Sequence, residues 1–165
     1  MDDIKDIQNV DVQDEGKQYI VVRLGDEQYG IDIKYIDNIV RMTAITRIPG
    51  AQKFFRGVIN LRGEIIPVMS LRLKFDLAPD EYVNSTRIII IKLESQSAIG
   101  IIVDEVKEVV TLSASAIDKP TAEASSDIGI QYLSGIGKHD NGLITLLNIS
   151  SVINEENKKK DKDKD

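Results

Sequence analysis

The polar residues best placed to do chemistry sit in the middle of an apolar segment. Residues 56–72 read RGVINLRGEIIPVMSLR, with Asn60-Leu61-Arg62-Gly63-Glu64 as its polar centre. An arginine there can hold a phosphate, hold a partner protein, or keep a turn solvated. Its planar fork pairs with carboxylates, phosphates or carbonyls while its stem packs on apolar atoms. Asn60 and Gly63 are turn formers in their own right.

Other candidates for chemistry are sparse. His139 is the single histidine, and it lies in KHDNG, a strong turn signal. With no cysteine in the chain, the usual zinc sets, cysteine nucleophiles and disulfides are excluded. Ser113, Ser115, Ser125 and Ser126 lack the G-x-S-x-G setting of a serine nucleophile. Asp26-Glu27 and Asp104-Glu105 are adjacent carboxylates, and neighbours along a strand point to opposite faces. Neither pair makes an acid/base couple by itself. Gly135-Ile136-Gly137 has no third glycine and no helix after it, so it is a poor phosphate cradle. The balance favours a binding module over an enzyme, with no cofactor, no metal and no small-molecule substrate.

The composition agrees. The 165 residues carry a net charge of -6, which disfavours nucleic acid as a partner. The start, MDDIKD, is unlike a signal peptide, and no apolar run is long enough to span a bilayer. A cytoplasmic chain without membrane insertion is expected. Residues 1–17 and 155–165 read as solvated tails; the second, at the end of NEENKKKDKDKD, has no apolar residue with which to offset its ordering entropy.

Between the tails, short Ile- and Val-rich runs alternate with turn residues, which predicts strands. YIVVRL (residues 19–24) and YGIDI (29–33) flank GDEQ and read as a hairpin. RIIIIKL (87–93) and AIGIIVDEV (98–106) flank ESQS and read as another. Gly30-Ile31-Asp32-Ile33 matches Gly100-Ile101-Ile102-Val103. Further on, Gly57 matches Gly135 and Gly63 matches Gly142. The chain is a duplication, with lobes expected at residues 18–83 and 84–154. Matching features belong to the frame, and features of one repeat alone are the candidates for function. Arg62 is such a feature.

These residues together resemble the CheW family of bacterial chemotaxis adaptors. LGDEQYGIDI, TRIPG, GVINLRGEIIPVMSLRLKF, GIIVDEVKEVV and YLSGIG follow its order and spacing. The resemblance implies an all-β fold of two SH3-like five-stranded barrels packed together, with short helical segments. It also implies a non-catalytic role: linking the cytoplasmic tip of chemoreceptors to the regulatory domain of the histidine kinase CheA, in arrays at the membrane. A free-standing module of another receptor and kinase system is the alternative.

The family's pattern assigns residues as well. The kinase contact maps to Ile33, Ile36 and Asn38, where the family often has glutamate in place of Asn38. Ile33, Ile36 and Ile39/Val40 also fit the inward stripe of a short helix. Receptor contact and signalling map to Asn60 and Arg62. Gly57, Gly63 and Pro67 are structural, with Pro67 expected at a strand edge or bulge. A ring contact maps to the loop of residues 120–130, which carries no aromatic here.

Overall fold

The computed structural model describes residues 16–94, 97–119, 130–140 and 142–154. Their strands are β1 (Lys17–Leu24), β2 (Glu27–Asp32), β3 (Ile36–Arg41), β4 (Phe55–Leu61), β5 (Glu64–Ser70), β6 (Arg87–Ile91), β7 (Ile99–Val103), β8 (Glu105–Leu112), β9 (Ile117–Asp118), β10 (Leu133–His139) and β11 (Gly142–Leu147). Helical turns occupy Ile33–Tyr35, Leu71–Lys74, Ala114–Ala116, Ile130–Tyr132 and residues 149–154. The all-β class with short helical segments is thus the one the sequence implied. Residues 1–15 and 155–165 of the two tails, residues 120–129 of the ring-contact loop and the centre of the ESQS turn lie outside the described residues; Lys17, expected in the first tail, instead opens β1.

One sheet runs β8-β1-β2-β11-β10-β9 and the other β3-β6-β7-β5-β4. The expected split at residue 83/84 does not follow these sheets. The first repeat contributes β1 and β2 to one sheet and β3, β4 and β5 to the other. The second repeat does the reverse: β6 and β7 join the sheet of β3–β5, and β8–β11 join that of β1 and β2. Each repeat therefore lends its opening hairpin to its twin. The two parallel pairings are the marks of the exchange. Leu146 of β11 lies beside Gly30 of β2, and Val68 of β5 lies beside Gly100 of β7. A Cβ on Gly30 would come within 2.7 Å of Leu146, which explains why both repeats keep glycine there.

The burial pattern follows. β6 and β7 are runs of isoleucine without polar alternation because both their faces are covered. Ile88, Ile90 and Ile102 face Ile59, Ile66 and Val68 inside their own sheet. Ile89, Ile91, Ile101 and Val103 face outward into the largest cluster, where they meet Ile20, Val22 and Leu24 of β1. Tyr19 and Val21 turn the other way, onto Val110, Leu112 and Ile144. The largest of the three apolar clusters is thus the seam between the sheets, so neither sheet is expected to be stable alone.

Candidate functional site

The β4–β5 hairpin closes with the pair Leu61–Glu64, leaving Arg62 and Gly63 as a two-residue loop. Their φ angles are 53° and 84°. Both residues are left-handed, as a type I′ hairpin turn requires. The Asn60 carboxamide accepts the Gly63 N–H at 2.9 Å and locks the turn. Asn60, Arg62 and Glu64 are exposed, and Ile65 beside them is 61% exposed. A left-handed backbone costs an L-residue with a long side chain roughly 1–2 kcal/mol. The second repeat's hairpin closes with the pair His139–Gly142, so Gly142 matches Glu64 rather than Gly63 as expected, and the position matching Arg62 is Asp140, φ 51°, a residue type that tolerates this region. The first repeat places an arginine where asparagine, aspartate or glycine would fold more cheaply.

Ile33, Ile36 and Asn38 lie on the other edge of the same sheet. Ile33 belongs to the 3-10 turn Ile33–Tyr35, which Asp32 caps by accepting the Lys34 N–H at 3.0 Å. The expected helical stripe is a strand. Ile36 pairs with Ile91, Asn38 with Ile90, and Ile39 with Ile89, so Asp37 is an extra residue in a bulge. The bulge puts Ile36 and Ile39 on one face three positions apart, and that spacing imitates a helix. Ile33, Ile36 and Ile39 are half-buried against the seam cluster, whereas Val40 turns to the interior of its own sheet. Asn38 is half-buried, and its side chain accepts the Ile39 N–H at 2.8 Å.

The three residues assigned to the frame differ in why they are needed. Gly57 has φ 140°, and a Cβ on it would lie 2.1 Å from the Thr46 carbonyl oxygen. Thr46 and Val58 exchange backbone hydrogen bonds there, at 2.9 and 2.8 Å, which folds the segment after β3 onto β4. Gly63 has open space around it and needs only its conformation. Pro67 lies in a strand flanked on both sides, but the ladder with β7 begins at Val68. Its missing N–H therefore falls where the strand is still locally an edge.

A family profile of the CheW-like domain matches residues 18–157. The chain belongs to the CheW-like domain family. Chemotaxis protein CheW of Klebsiella aerogenes is 34% identical over 141 residues, 86% of this chain and 84% of that protein. Chemotaxis protein CheW of Helicobacter pylori is 33% identical over 139 residues, 84% of this chain and 82% of that one. Among solved structures, the scaffolding protein TtCheW from Thermoanaerobacter tengcongensis superposes with a TM-score of 0.76. Its identity is 34%, and the match covers 83% of this chain and 87% of that one.

In this CheW-like domain the sequence reading missed a polar network over the seam. The Arg72 guanidinium donates to Asp104 through Nε at 2.7 Å and through Nη2 at 2.5 Å. The Gly25 N–H donates to the same carboxylate at 2.8 Å. Arg23 donates to Glu105 at 3.0 Å and to the Gly25 carbonyl at 2.9 Å. Asp104 lies in the bend between β7 and β8: Arg72 takes it with two hydrogen bonds, while Arg23 bonds Glu105 and also stands 3.6 Å from the Asp104 carboxylate. Burial would raise the Asp104 carboxyl, but the hydrogen bonds from Arg72 and Gly25 win and hold it below the usual range. Nearby, the Ser70 hydroxyl donates to Asp80 and accepts the Leu73 N–H at 3.1 Å. Burial pushes Asp80 above the usual range. A charged triad spread over residues 23, 72 and 104 leaves no local spacing to detect. Its one trace in the sequence is Asp104, a carboxylate that interrupts an otherwise apolar run.

Proposed function

We propose that this protein is a non-catalytic adaptor that couples chemoreceptors to a CheA-like histidine kinase. The observation that carries the reading is Arg62. An exposed arginine held in a left-handed turn is retained for what its side chain reaches, since the turn itself favours other residues. The family relationship supplies the setting, because its relatives are chemotaxis proteins and one is a scaffolding protein. Arg62 and Asn60 would anchor the receptor, with Ile65 as the apolar neighbour. The edge at Ile33, Ile36 and Asn38 would take the kinase. Because β3 and β4 are the two ends of one sheet, the two partners would meet opposite edges of a shared frame. A change in one contact can then bias the other, which is what coupling requires.

Reconstitution tests this. The protein is mixed with a CheA kinase and receptor cytoplasmic fragments, and autophosphorylation is followed. Receptor control of the kinase should require the protein. Asp37→Lys, at the exposed bulge of β3, should reduce kinase capture while leaving receptor capture intact. Equal kinase control with and without the protein would defeat the reading.

A further inference from the structure

The chain is acidic as a whole, yet residues 38–63 contain no aspartate or glutamate and carry Arg41, Arg47, Lys53, Arg56 and Arg62. Five cations in 26 consecutive residues, in a protein of net charge -6, make a local reversal of sign. The segment between β3 and β4 folds this block into a groove of about 810 Å³. Arg47, Lys53 and Arg56 line it together with Ile48, Phe55 and Tyr82. Ile48 and Tyr82 are each 49% exposed, far more than core residues of their size. Lys53 is paired with Asp76 at 3.5 Å. Among the described residues, Arg47 and Arg56 have no ion-pair partner. The groove thus combines exposed apolar side chains with uncompensated guanidinium groups, on a loop anchored by the Thr46–Val58 bridge.

We propose that this groove is a third docking surface, and that it takes an acidic protein segment presenting one large apolar side chain. The apolar side chain would pack between Ile48 and Tyr82, and carboxylates on either side would pair with Arg47 and Arg56. Charge complementarity fixes this chemistry: arginine is suited to bidentate carboxylate pairing, and tyrosine to apolar contact with a wet rim. None of the residues lining the groove is among those assigned to the hairpin tip or the β3 edge.

The probe is a synthetic peptide in which one phenylalanine and one leucine are flanked by glutamates and aspartates, titrated into the isotopically labelled full chain. An analogue with lysine in place of every acid is the control. Amide shifts should be confined to residues 45–56 and Tyr82. Affinity should fall several-fold between about 50 and about 300 mM salt, as screening shortens the reach of the charges. The double variant Arg47→Glu/Arg56→Glu should keep its spectrum and bind about tenfold more weakly or worse. Four results would each overturn the proposal: no binding, equal binding of the lysine analogue, shifts centred on Arg62, or equal competition by single-stranded DNA, which would mark a general anion patch. A fifth would too. If the peptide binds only after residues 1–15 are deleted, the occupant is the chain's own acidic start.

Discussion

Arg72, in the helical turn after β5, grips Asp104, between β7 and β8, with two hydrogen bonds 32 positions apart in sequence. The same carboxylate caps the β1–β2 turn through the Gly25 N–H. One acidic group therefore ties together the two sheets whose strands the repeats exchange. The side chains are 18% and 14% exposed, so the pair is largely withdrawn from water.

Arg72→Met should remove the main partner of that carboxylate, leaving it the Gly25 N–H and Arg23. Breaking a buried pair costs about 3–5 kcal/mol, and the residual exposure here lowers the expected loss to about 2 kcal/mol in urea denaturation at neutral pH. The pH dependence gives a second, sharper readout. The folded-state value for Asp104 lies below its unfolded value. Its stabilisation is thus present above about pH 4 and is lost as pH falls through the folded value. In the variant the carboxylate keeps only the Gly25 N–H and Arg23 at 3.6 Å, so it should hold its proton more readily than in the parent. Mild acid should then narrow the gap between variant and parent. A gap that stays constant as pH falls from 7 to well below about 4 would show that the loss does not come from the ion pair.

Asp80 should behave in the opposite sense. Burial raises its folded-state value, even though the Ser70 hydrogen bond pulls the other way. Its favourable contribution is therefore present at low pH and is lost as pH rises through the folded value. Asp80→Asn keeps an acceptor for Ser70 and removes the buried charge. The variant should melt higher than the parent at pH 7, with the difference shrinking in acid. A lower melting temperature at neutral pH would mean that the Arg72 charge compensates Asp80 fully.

Two glycines of one hairpin should respond very differently to alanine. At Gly57 the new methyl would press on the Thr46 backbone at 2.1 Å, in a conformation with φ 140°. Backbone cannot step aside as a side chain can, so a loss of about 3 kcal/mol or more is expected. At Gly63 the space is open and only the φ of 84° is unfavourable. That variant should lose about 1 kcal/mol. Similar losses at both sites would remove the close approach of Thr46 as the explanation.

Much of this fold is legible in the sequence, and the illegible parts have particular causes. Isoleucine runs, glycine turns and the internal duplication point to an all-β chain. The duplication does not say which partner a hairpin chooses. A β1–β2 hairpin satisfies the same local pattern whether it pairs with its own repeat or with its twin, and only the parallel ladders Gly30–Leu146 and Gly100–Val68 decide. At β3 the bulge at Asp37 turned a strand's period of two into a spacing of three, so periodicity pointed to the wrong element. The hairpin tip was readable because a turn's demands are local. Arg62 could be singled out by type, and the structure adds the strain that its φ implies.

That strain separates frame from function at Arg62. Arg62→Ala would confuse the two, since alanine also resists the left-handed region. Arg62→Asn is the better variant. Asparagine before glycine is the favoured pair for a type I′ turn, and the second repeat already turns at Asp140 with φ 51°. The exposed arginine makes no hydrogen bond or ion pair among the described residues, so the fold should gain about 0.5–1 kcal/mol in chemical denaturation. Binding should move the other way. If the guanidinium anchors a receptor, its removal should cost about 1–2 kcal/mol of receptor affinity, read by titration with receptor fragments. Kinase capture through the β3 edge should be unchanged. A variant both more stable and less able to couple receptor to kinase would assign the arginine to the interface. A variant that is less stable but couples normally would return it to the frame.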